Sequence, residues 1–357
     1  MPMDIEIFES FTDYTGLNSG LAPFSASWLN SGNMLNFAFE DSSYDPGNRC
    51  LVIKDTPNIF GSYTTRMFAS PQAKLTIGIC FALRGFASRP HRLLELLDAS
   101  GNTQGNIHVN SVGKMIFIGE NGNTVATSET NFLGGTVYRC CITLDMTGAN
   151  AVNTFASING FPDPGLEKTG VDMNDAAATN FGGVRIATWG TNEPAAHWEL
   201  LDLIIGVGEC VDWGPLEVLE GAPNVDIVSD WTPLSGTDNF AMVDEAPGDG
   251  DTTYNYTETL AAQDIFGFTD PEVPERLICL GAVMWHKKED SATRIIRQIL
   301  RVNGTDYFGP DIYCSESYVR SVDAFLQNPD TLEDWEGSDL APLQFGYEYV
   351  GSTPTPP

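Results

Sequence analysis

Basic residues are scarce in this sequence of 357 residues. Lysine and arginine together number 18 against 48 aspartates and glutamates, which gives a formal net charge of −30 at pH 7. A field of this sign repels the phosphate backbones of nucleic acids and anionic membrane surfaces. We therefore expect no nucleic-acid partner.

Long hydrophobic runs are missing as well. No apolar run approaches the roughly 18 to 20 residues that cross a bilayer. The first ten residues, MPMDIEIFES, lack the basic start and apolar middle of a secretion signal. We expect a protein that is made in a cytosol and is not inserted into a membrane.

Cysteine spacing argues against a metal or disulfide framework. The seven cysteines are an odd number without Cys-x-x-Cys spacing, and most lie inside apolar runs such as LTIGICFALRG. Such residues are typically buried thiols, so we expect them to be reduced and neither paired nor bound to zinc.

Common catalytic and cofactor motifs are also absent. There is no Gly-x-Ser-x-Gly, Walker loop or dinucleotide fingerprint. The histidines are scattered, without a histidine or carboxylate partner at ligand spacing. They are His91, His108, His197 and His286. We therefore expect no cofactor and no zinc or iron site.

One pair of acids invites comparison with glucanases of the concanavalin-like sandwich fold. Those enzymes use paired carboxylates on one face of a strand, at offsets of two or four residues. Glu199 and Asp202 in HWELLDLII are three apart. They would point to opposite faces of a strand unless a bulge intervenes, which does not favour a glycosidase.

The residues that are present follow a β-strand pattern. From Leu75 to Leu144, short apolar segments alternate with turn clusters about every ten residues, which predicts an antiparallel meander. Asn121-Gly122 and Asn159-Gly160 are hairpin-turn signals. The long apolar run HWELLDLIIGVG predicts a central strand. The chain is predicted to be all-β.

A chain of this length fits two domains. After Gly206 the apolar runs give way to proline, glycine and acids, which places a boundary near residues 207–215. We predict two β-sandwich, jelly-roll-like domains in tandem, over residues 1–211 and 212–350. The last residues, 351–357, are too polar and proline-rich to pack and predict a flexible tail.

In the second half, TRIIRQILRV permits a strand or a helix. The isoleucines and the following Asn303-Gly304 favour a hairpin strand. A short helix is predicted in PDTLEDWEG, where Asp330 could cap the first turn. The seven tryptophans are spread through mostly apolar segments, which favours packing over sugar stacking for each of them.

The stretch VDEAPGDGDTTYNY has clustered acids with glycines between them. An EF-hand would need a glutamate at position twelve, which counted from Asp244 is Asn255. A different calcium site that uses Asp249 and Asp251 is one hypothesis. An exposed acidic turn leading into a strand is the other, and the pattern favours it.

The second half resembles a family of tailed-bacteriophage virion structural proteins. The resemblance extends from about Gly183 to Glu348 and depends on a Trp-Thr-Pro segment, an Asp-Gly-Asp-Thr turn and a closing PDTLEDWEG…FGYE stretch. The matching positions are Trp231, Thr232, Pro233, Asp249, Gly250, Asp251, Thr252, Asp330, Thr331 and Trp335. The resemblance implies structural roles for them, with Trp335 anchoring the final segment.

The first half resembles the concanavalin A-like, laminin-G-type sandwich through FESFTDY and LLELLDASGNTQGNIHVNSVGKMIFI. The two resemblances imply a non-enzymatic virion component, attached to a capsid or tail and assembled in the host cytoplasm. Its expected partners are other virion proteins, further copies of itself in a homo-oligomer, and a host-surface glycan. The alternative is a lectin-like carbohydrate-binding module.

Overall fold

The computed structural model describes residues 4–10, 29–31, 37–44, 49–54, 63–84, 90–120, 122–148, 151–172, 180–187, 197–216, 221–244, 251–268 and 277–353. Regular structure within these ranges is almost entirely strand, and the two short helices there are 3-10 turns, Phe240–Met242 and Gly337–Asp339. The prediction of an all-β chain is confirmed. None of the described helices has the length and apolar character needed to cross a membrane.

The chain divides into two compact units, Met1–Val218 and Leu219–Pro357. The described strands of the first unit are β1 (Asp4–Ser10), β2 (Leu29–Ser31), β3 (Phe37–Asp41), β4 (Arg49–Lys54), β5 (Tyr63–Gln72), β6 (Lys74–Leu83), β7 (His91–Leu97), β8 (Thr103–Val109), β9 (Met115–Gly119), β10 (Thr124–Thr127), β11 (Val137–Gly148), β12 (Ala151–Ile158), β13 (Phe161–Pro162), β14 (Lys168–Val171), β15 (Phe181–Ala187) and β16 (His197–Val207).

These strands form two antiparallel sheets. The nine-stranded sheet has the order β13-β12-β11-β6-β16-β4-β3, with β1 paired to β16 and β14 paired to β12. The seven-stranded sheet has the order β10-β9-β8-β7-β15-β5-β2. The predicted meander is therefore correct for β7 to β10 only, because β6 and β11 pair with each other in the other sheet.

A single apolar core lies between the two sheets. In strand β9, buried residues alternate with half-buried ones, as expected when one face of a strand packs against the core. Ile77 and Ile205 from the nine-stranded sheet share the core cluster with Leu94, Ile107 and Phe117 from the seven-stranded sheet. The first unit is thus a β-sandwich.

Strand β16 lies centrally, as its apolar run predicted, with β6 on one side and β4 and β1 on the other. It contains a bulge between Leu200 and Asp202. Glu199 pairs with Ala82 and Asp202 pairs with Cys80. The two acids are three residues apart on β16, whereas their partners are two residues apart on β6. The extra residue restores the phase, so both acids face away from the core. The sequence predicted opposite faces for the two acids unless a bulge intervened, and this bulge places them on the same face.

Two hairpin turns were predicted correctly. Asn159 and Gly160 have φ of 51° and 84°, and Asn303 and Gly304 have φ of 49° and 81°. Positive φ at both central residues is the requirement of the turn type that Asn-Gly favours.

Residues 209–216, which we call the strap, cross the outward face of the nine-stranded sheet. The hydroxyl of Thr76 donates to the carbonyl of Glu209 over 3.0 Å and accepts the N–H of Val211 over 3.1 Å. Trp213 and Leu216 are 5% and 9% exposed. The segment in which the sequence placed a domain boundary is therefore packed onto the first unit.

The strands of the second unit are β17 (Pro223–Ser229), β18 (Thr232–Pro233), β19 (Asn255–Tyr256), β20 (Gln263–Phe268), β21 (Leu280–His286), β22 (Thr293–Val302), β23 (Thr305–Phe308), β24 (Ile312–Tyr313), β25 (Val319–Phe325) and β26 (Gln344–Thr353). Residues 293–302 form a strand, as the sequence favoured. A six-stranded sheet has the order β17-β20-β26-β22-β23, with β24 on β22, and β18-β19 and β21-β25 are two-stranded.

The β21-β25 pair packs on the six-stranded sheet. Leu280 and Phe325 contact a buried cluster that contains Leu300 and Trp335. The amide of Gln298 on β22 donates to the carbonyl of Ala282 on β21 over 3.0 Å.

The short helix predicted in PDTLEDWEG is not formed. The N–H of Asp330 donates to the side chain of Asn328, and an isolated bridge joins Gln327 to Asp334. Leu332 has a φ of 60°, which an α-helix does not allow. The segment is a tight hairpin because the Asn328 side chain offers the backbone a competing hydrogen bond.

Candidate functional site

The two outward faces of the first sandwich differ in chemistry. The strap covers part of the nine-stranded sheet with apolar side chains, and the N–H of Trp213 donates to the sulfur of Cys141 over 3.2 Å. The outward face of the seven-stranded sheet has polar side chains instead. This second face is the candidate site.

One line of polar residues crosses four neighbouring strands of this face. Asn106 on β8 pairs with Glu95 on β7, which pairs with Arg185 on β15, which pairs with Thr65 on β5. We call these four residues the polar row. Adjacent strands are about 4.8 Å apart, so the row runs roughly 14 Å across the strands.

Arg185 is the best-connected member of the polar row. It donates to Oε2 of Glu95 over 3.0 Å, to the hydroxyl of Thr65 over 3.1 Å and to the carbonyl of Gly101 over 3.0 Å. Its guanidinium carbon lies 4.5 Å from the ring centroid of Tyr63. These contacts use three of its five N–H groups, which leaves two without a partner in the described part of the chain.

A second arginine binds the same carboxylate. Arg92, three residues before Glu95 on β7, donates through Nη1 to Oε1 of Glu95. The hydroxyl of Thr103 also donates to Glu95, over 3.4 Å. Two guanidinium groups therefore share one carboxylate.

His108 lies beside the polar row and is uncharged at neutral pH. Burial, together with the nearby charge of Arg92, lowers its pKa from 6.5 to about 4. Its Nδ1–H donates to Oδ1 of Asn106 over 3.1 Å, which places the lone pair on Nε2. Across the described residues, neither this Nε2 nor Nδ2 of Asn106 has a hydrogen-bond partner.

These side chains face away from the core and are nevertheless poorly exposed. Glu95 and His108 are 5% and 6% exposed, whereas the side chains of Arg92 and Arg185 retain 17% and 19%. Solvent thus reaches the guanidinium groups but not the carboxylate between them.

The sequence interpretation did not identify this site. His108 was noted only as a scattered histidine, and the other members lie in strands read for their apolar residues. A usable signal was the presence of Arg92 and Glu95 within RLLELL and of Arg185 within VRIA, since charged residues inside apolar strands need partners.

The virion-family positions lie elsewhere, in the second unit. The N–H of Trp231 donates to Asp264 over 2.9 Å, and its indole Nε1 donates to the carbonyl of Ala262 over 3.0 Å. Thr232 and Pro233 form β18. These contacts hold the Trp-Thr-Pro segment against β20.

Only part of the acidic turn is described. Asp249 and Gly250 lie outside the described residues. The Asp251 carboxylate accepts hydrogen bonds from Lys287 and, over 3.0 Å, from the hydroxyl of Tyr318, and these lower its pKa. Thr252 is exposed. The described residues contain no group of three or more histidine, cysteine or acidic side chains placed to hold a metal.

The closing family positions are joined to the β22-β23 hairpin and the core. Asp330 accepts the hydroxyl of Tyr307 over 2.9 Å, and the hydroxyl of Thr331 accepts the N–H of Glu333 over 3.3 Å. Trp335 is 4% exposed and donates its indole N–H to the carbonyl of Phe325 over 2.8 Å.

Glu199, considered above as a catalytic carboxylate, and the cysteines have structural roles. Glu199 is fully buried and accepts hydrogen bonds from Arg84 over 2.7 Å and Ser42 over 2.6 Å. None of the seven cysteines, all of which lie in the described ranges, forms a disulfide. Burial raises the pKa of Cys141 and of Cys279 to about 12, so both stay protonated at neutral pH.

Comparison with known proteins gives matches to solved structures only. No family model matches the chain, and no curated protein matches it. A sialidase structure is 12% identical with a TM-score of 0.42, over 56% of this chain and 18% of that one. An endo-β-1,4-glucuronan lyase from Trichoderma reesei is 10% identical with a TM-score of 0.39, over 57% and 96%. A carbohydrate esterase from the Shiga toxin-encoding bacteriophage phi24B is 10% identical with a TM-score of 0.36, over 57% and 100%.

The expectation that the chain is not an enzyme is corrected by these matches. A polysaccharide lyase and a carbohydrate esterase are among the structures that it resembles. The virion role, the virion partners, the homo-oligomer and the location in a particle stay predictions.

Proposed function

We propose that the first unit binds a carbohydrate along the polar row. This is the alternative that the sequence offered. One observation carries the proposal: side chains on the outward face of the seven-stranded sheet keep polar atoms without partners among the described residues. These atoms are two N–H groups of Arg185, Nδ2 of Asn106 and Nε2 of His108.

The chemistry of these atoms suits a sugar. Each sugar hydroxyl both donates and accepts hydrogen bonds, and the row together with His108 offers both donors and an acceptor. Mutual hydrogen bonds hold Arg185, Glu95 and Thr65 in place before any ligand arrives, which reduces the entropy lost on binding. A row about 14 Å long, running across the strands, can contact several units of an extended chain.

Binding can be measured on the whole chain with a panel of oligosaccharides, by calorimetry. Asn106→Ala removes one unpartnered donor, and we expect it to weaken binding roughly five- to twenty-fold. The matched control is Asn153→Ala on β12, which makes the same change in the nine-stranded sheet, where the Asn153 side chain accepts the N–H of Gly170. The control should bind like the wild type.

Mass spectrometry of the same incubations would register cleavage or deacylation of the glycan. Absence of saturable binding to every glycan would overturn the proposal, as would equal loss of affinity in the two asparagine variants.

A further inference from the structure

We infer that the carbohydrate bound at the polar row carries an N-acetyl (acetamido) group, which binds Asn106 and His108 and packs on two isoleucines of β9. The inference rests on the proposed function. It adds the chemical class of the ligand to that function.

The first argument is a pair of unpartnered polar atoms at one end of the polar row. Within the described part of the chain, Nε2 of His108 and Nδ2 of Asn106 have no hydrogen-bond partner, while Nδ1 of His108 donates to Oδ1 of Asn106 over 3.1 Å. Burial lowers the pKa of His108 to about 4, so the ring is uncharged at neutral pH and Nε2 is an acceptor. The matching ligand group therefore brings one donor and one acceptor.

The same match results from the opposite orientation of the two side chains. If Nδ2 of Asn106 donates to Nδ1 of His108, the ring proton lies on Nε2, and Oδ1 of Asn106 becomes the unpartnered acceptor. The pair then again offers one donor and one acceptor to a ligand.

The second argument is the apolar surface of the next strand. The polar row ends at Asn106 on β8, which pairs with Ile118 on β9. His108 pairs with Ile116 in the same register. Both isoleucines are half-buried, whereas Phe117 between them belongs to the core. Because directly opposite residues share a face, with Cβ atoms about 5 Å apart, the polar pair borders an accessible apolar surface.

An acetamido group combines the three features that this arrangement requires. Its N–H donates, its carbonyl oxygen accepts, and its methyl group is apolar. A sugar hydroxyl has no methyl group to pack on the isoleucines, and an O-acetyl ester has no N–H to donate. Of these three substituents, only the acetamido group matches the donor, the acceptor and the apolar surface.

The test uses the full chain and matched pairs of oligosaccharides, with affinity measured by calorimetry. Oligomers of N-acetylglucosamine, N-acetylgalactosamine and N-acetylmannosamine are each compared with oligomers of glucose, galactose and mannose that have the same linkage. We expect at least one acetamido oligomer to bind about ten-fold or more tightly than its hydroxyl partner. Replacing its N-acetyl groups by N-formyl groups removes only the methyl and should lower affinity about four-fold.

Variants locate the contact. Ile118→Ala should lower affinity for the acetamido oligomer about three- to ten-fold. The N-formyl oligomer should then bind this variant almost as tightly as the N-acetyl one, because the methyl has lost its partner. Ile227→Ala makes the same change at an isoleucine 43% exposed in the second unit and should leave affinity unchanged. In NMR, the Nε2 resonance of His108 should move when the acetamido oligomer binds, whereas that of His286 in the second unit should not.

The possible failures are distinct. If hydroxyl oligomers bind as tightly as acetamido ones, the acetamido group is wrong and carbohydrate binding stands. If no oligosaccharide of either kind binds, both proposals fall. The comparison of ligands needs only the wild-type chain, so a poorly folding Ile118 variant would not affect it.

Discussion

Nη1 of Arg185 donates to Oε2 of Glu95 over 3.0 Å, on the face of the seven-stranded sheet that points away from the core. The two residues are far apart in sequence and are brought opposite each other by the register of β15 and β7. Because Arg92 binds the other carboxylate oxygen, Glu95 holds two arginines at once.

This arrangement predicts the cost of removing the carboxylate. Glu95→Gln removes the carboxylate that two poorly exposed guanidinium groups share, and we expect the free energy of unfolding to fall by about 3 kcal/mol. Urea denaturation of the variant and the wild type measures it. Asp145→Asn is the control, because Asp145 pairs with Lys74 over 3.6 Å at a more exposed position. It should cost less than about 1 kcal/mol, and equal losses in the two variants would contradict the prediction.

The sequence predicted local features better than the site. Strand β22 and its Asn303-Gly304 turn depend on neighbouring residues, and both were predicted correctly. The bulge between Leu200 and Asp202 could not be predicted, because a strand pattern assumes an unbroken period of two.

The polar row could not be predicted from the sequence for a different reason. Its four members come from β8, β7, β15 and β5, and only the register of these strands places the residues opposite one another. Register is set by the whole sandwich, and a change of one residue would turn the side chains to the other face.

The low pKa of His108 predicts a pH dependence of stability. The unfolded chain takes up a proton on this residue near pH 6.5, whereas the folded chain does so only near pH 4. Above pH 6.5 this difference in pKa adds at most about 3 kcal/mol to the free energy of unfolding. The contribution is lost as the pH falls from 6.5 toward 4. Urea denaturation from pH 7 to 4 measures it.

His108→Gln is the comparison for that experiment, since glutamine does not titrate and His286, whose pKa burial also lowers to about 4, is retained. The variant should lose less stability than the wild type over the same pH range. Identical pH profiles would show that His108 has an ordinary pKa.

The acidic turn of the second unit gives a prediction about calcium. The Asp251 carboxylate already binds Lys287 and Tyr318, and it is exposed, so its removal should change the melting temperature little. We expect Asp249→Asn/Asp251→Asn and the wild type to melt alike in chelator, in calcium, and in sodium at equal ionic strength. A calcium-specific rise of many degrees in the wild type alone would establish a calcium site.

The strap predicts where the first unit can be cut. A chain that ends at residue 218 keeps Trp213 and Leu216, whereas one that ends at 211, the predicted domain boundary, loses both. Each side chain is at least nine-tenths buried, and burying one contributes about 1.5 to 3 kcal/mol. We therefore expect the 1–211 chain to be about 3 to 6 kcal/mol less stable than the 1–218 chain in urea denaturation. In the full chain, Trp213→Ala should destabilise the first unit by about 3 kcal/mol or more, while Trp285→Ala, at a tryptophan 36% exposed, should cost much less. Equal stability of the two shortened chains would mean that the strap contributes nothing to the fold of the sandwich, and that the unit ends where the composition of the sequence changes.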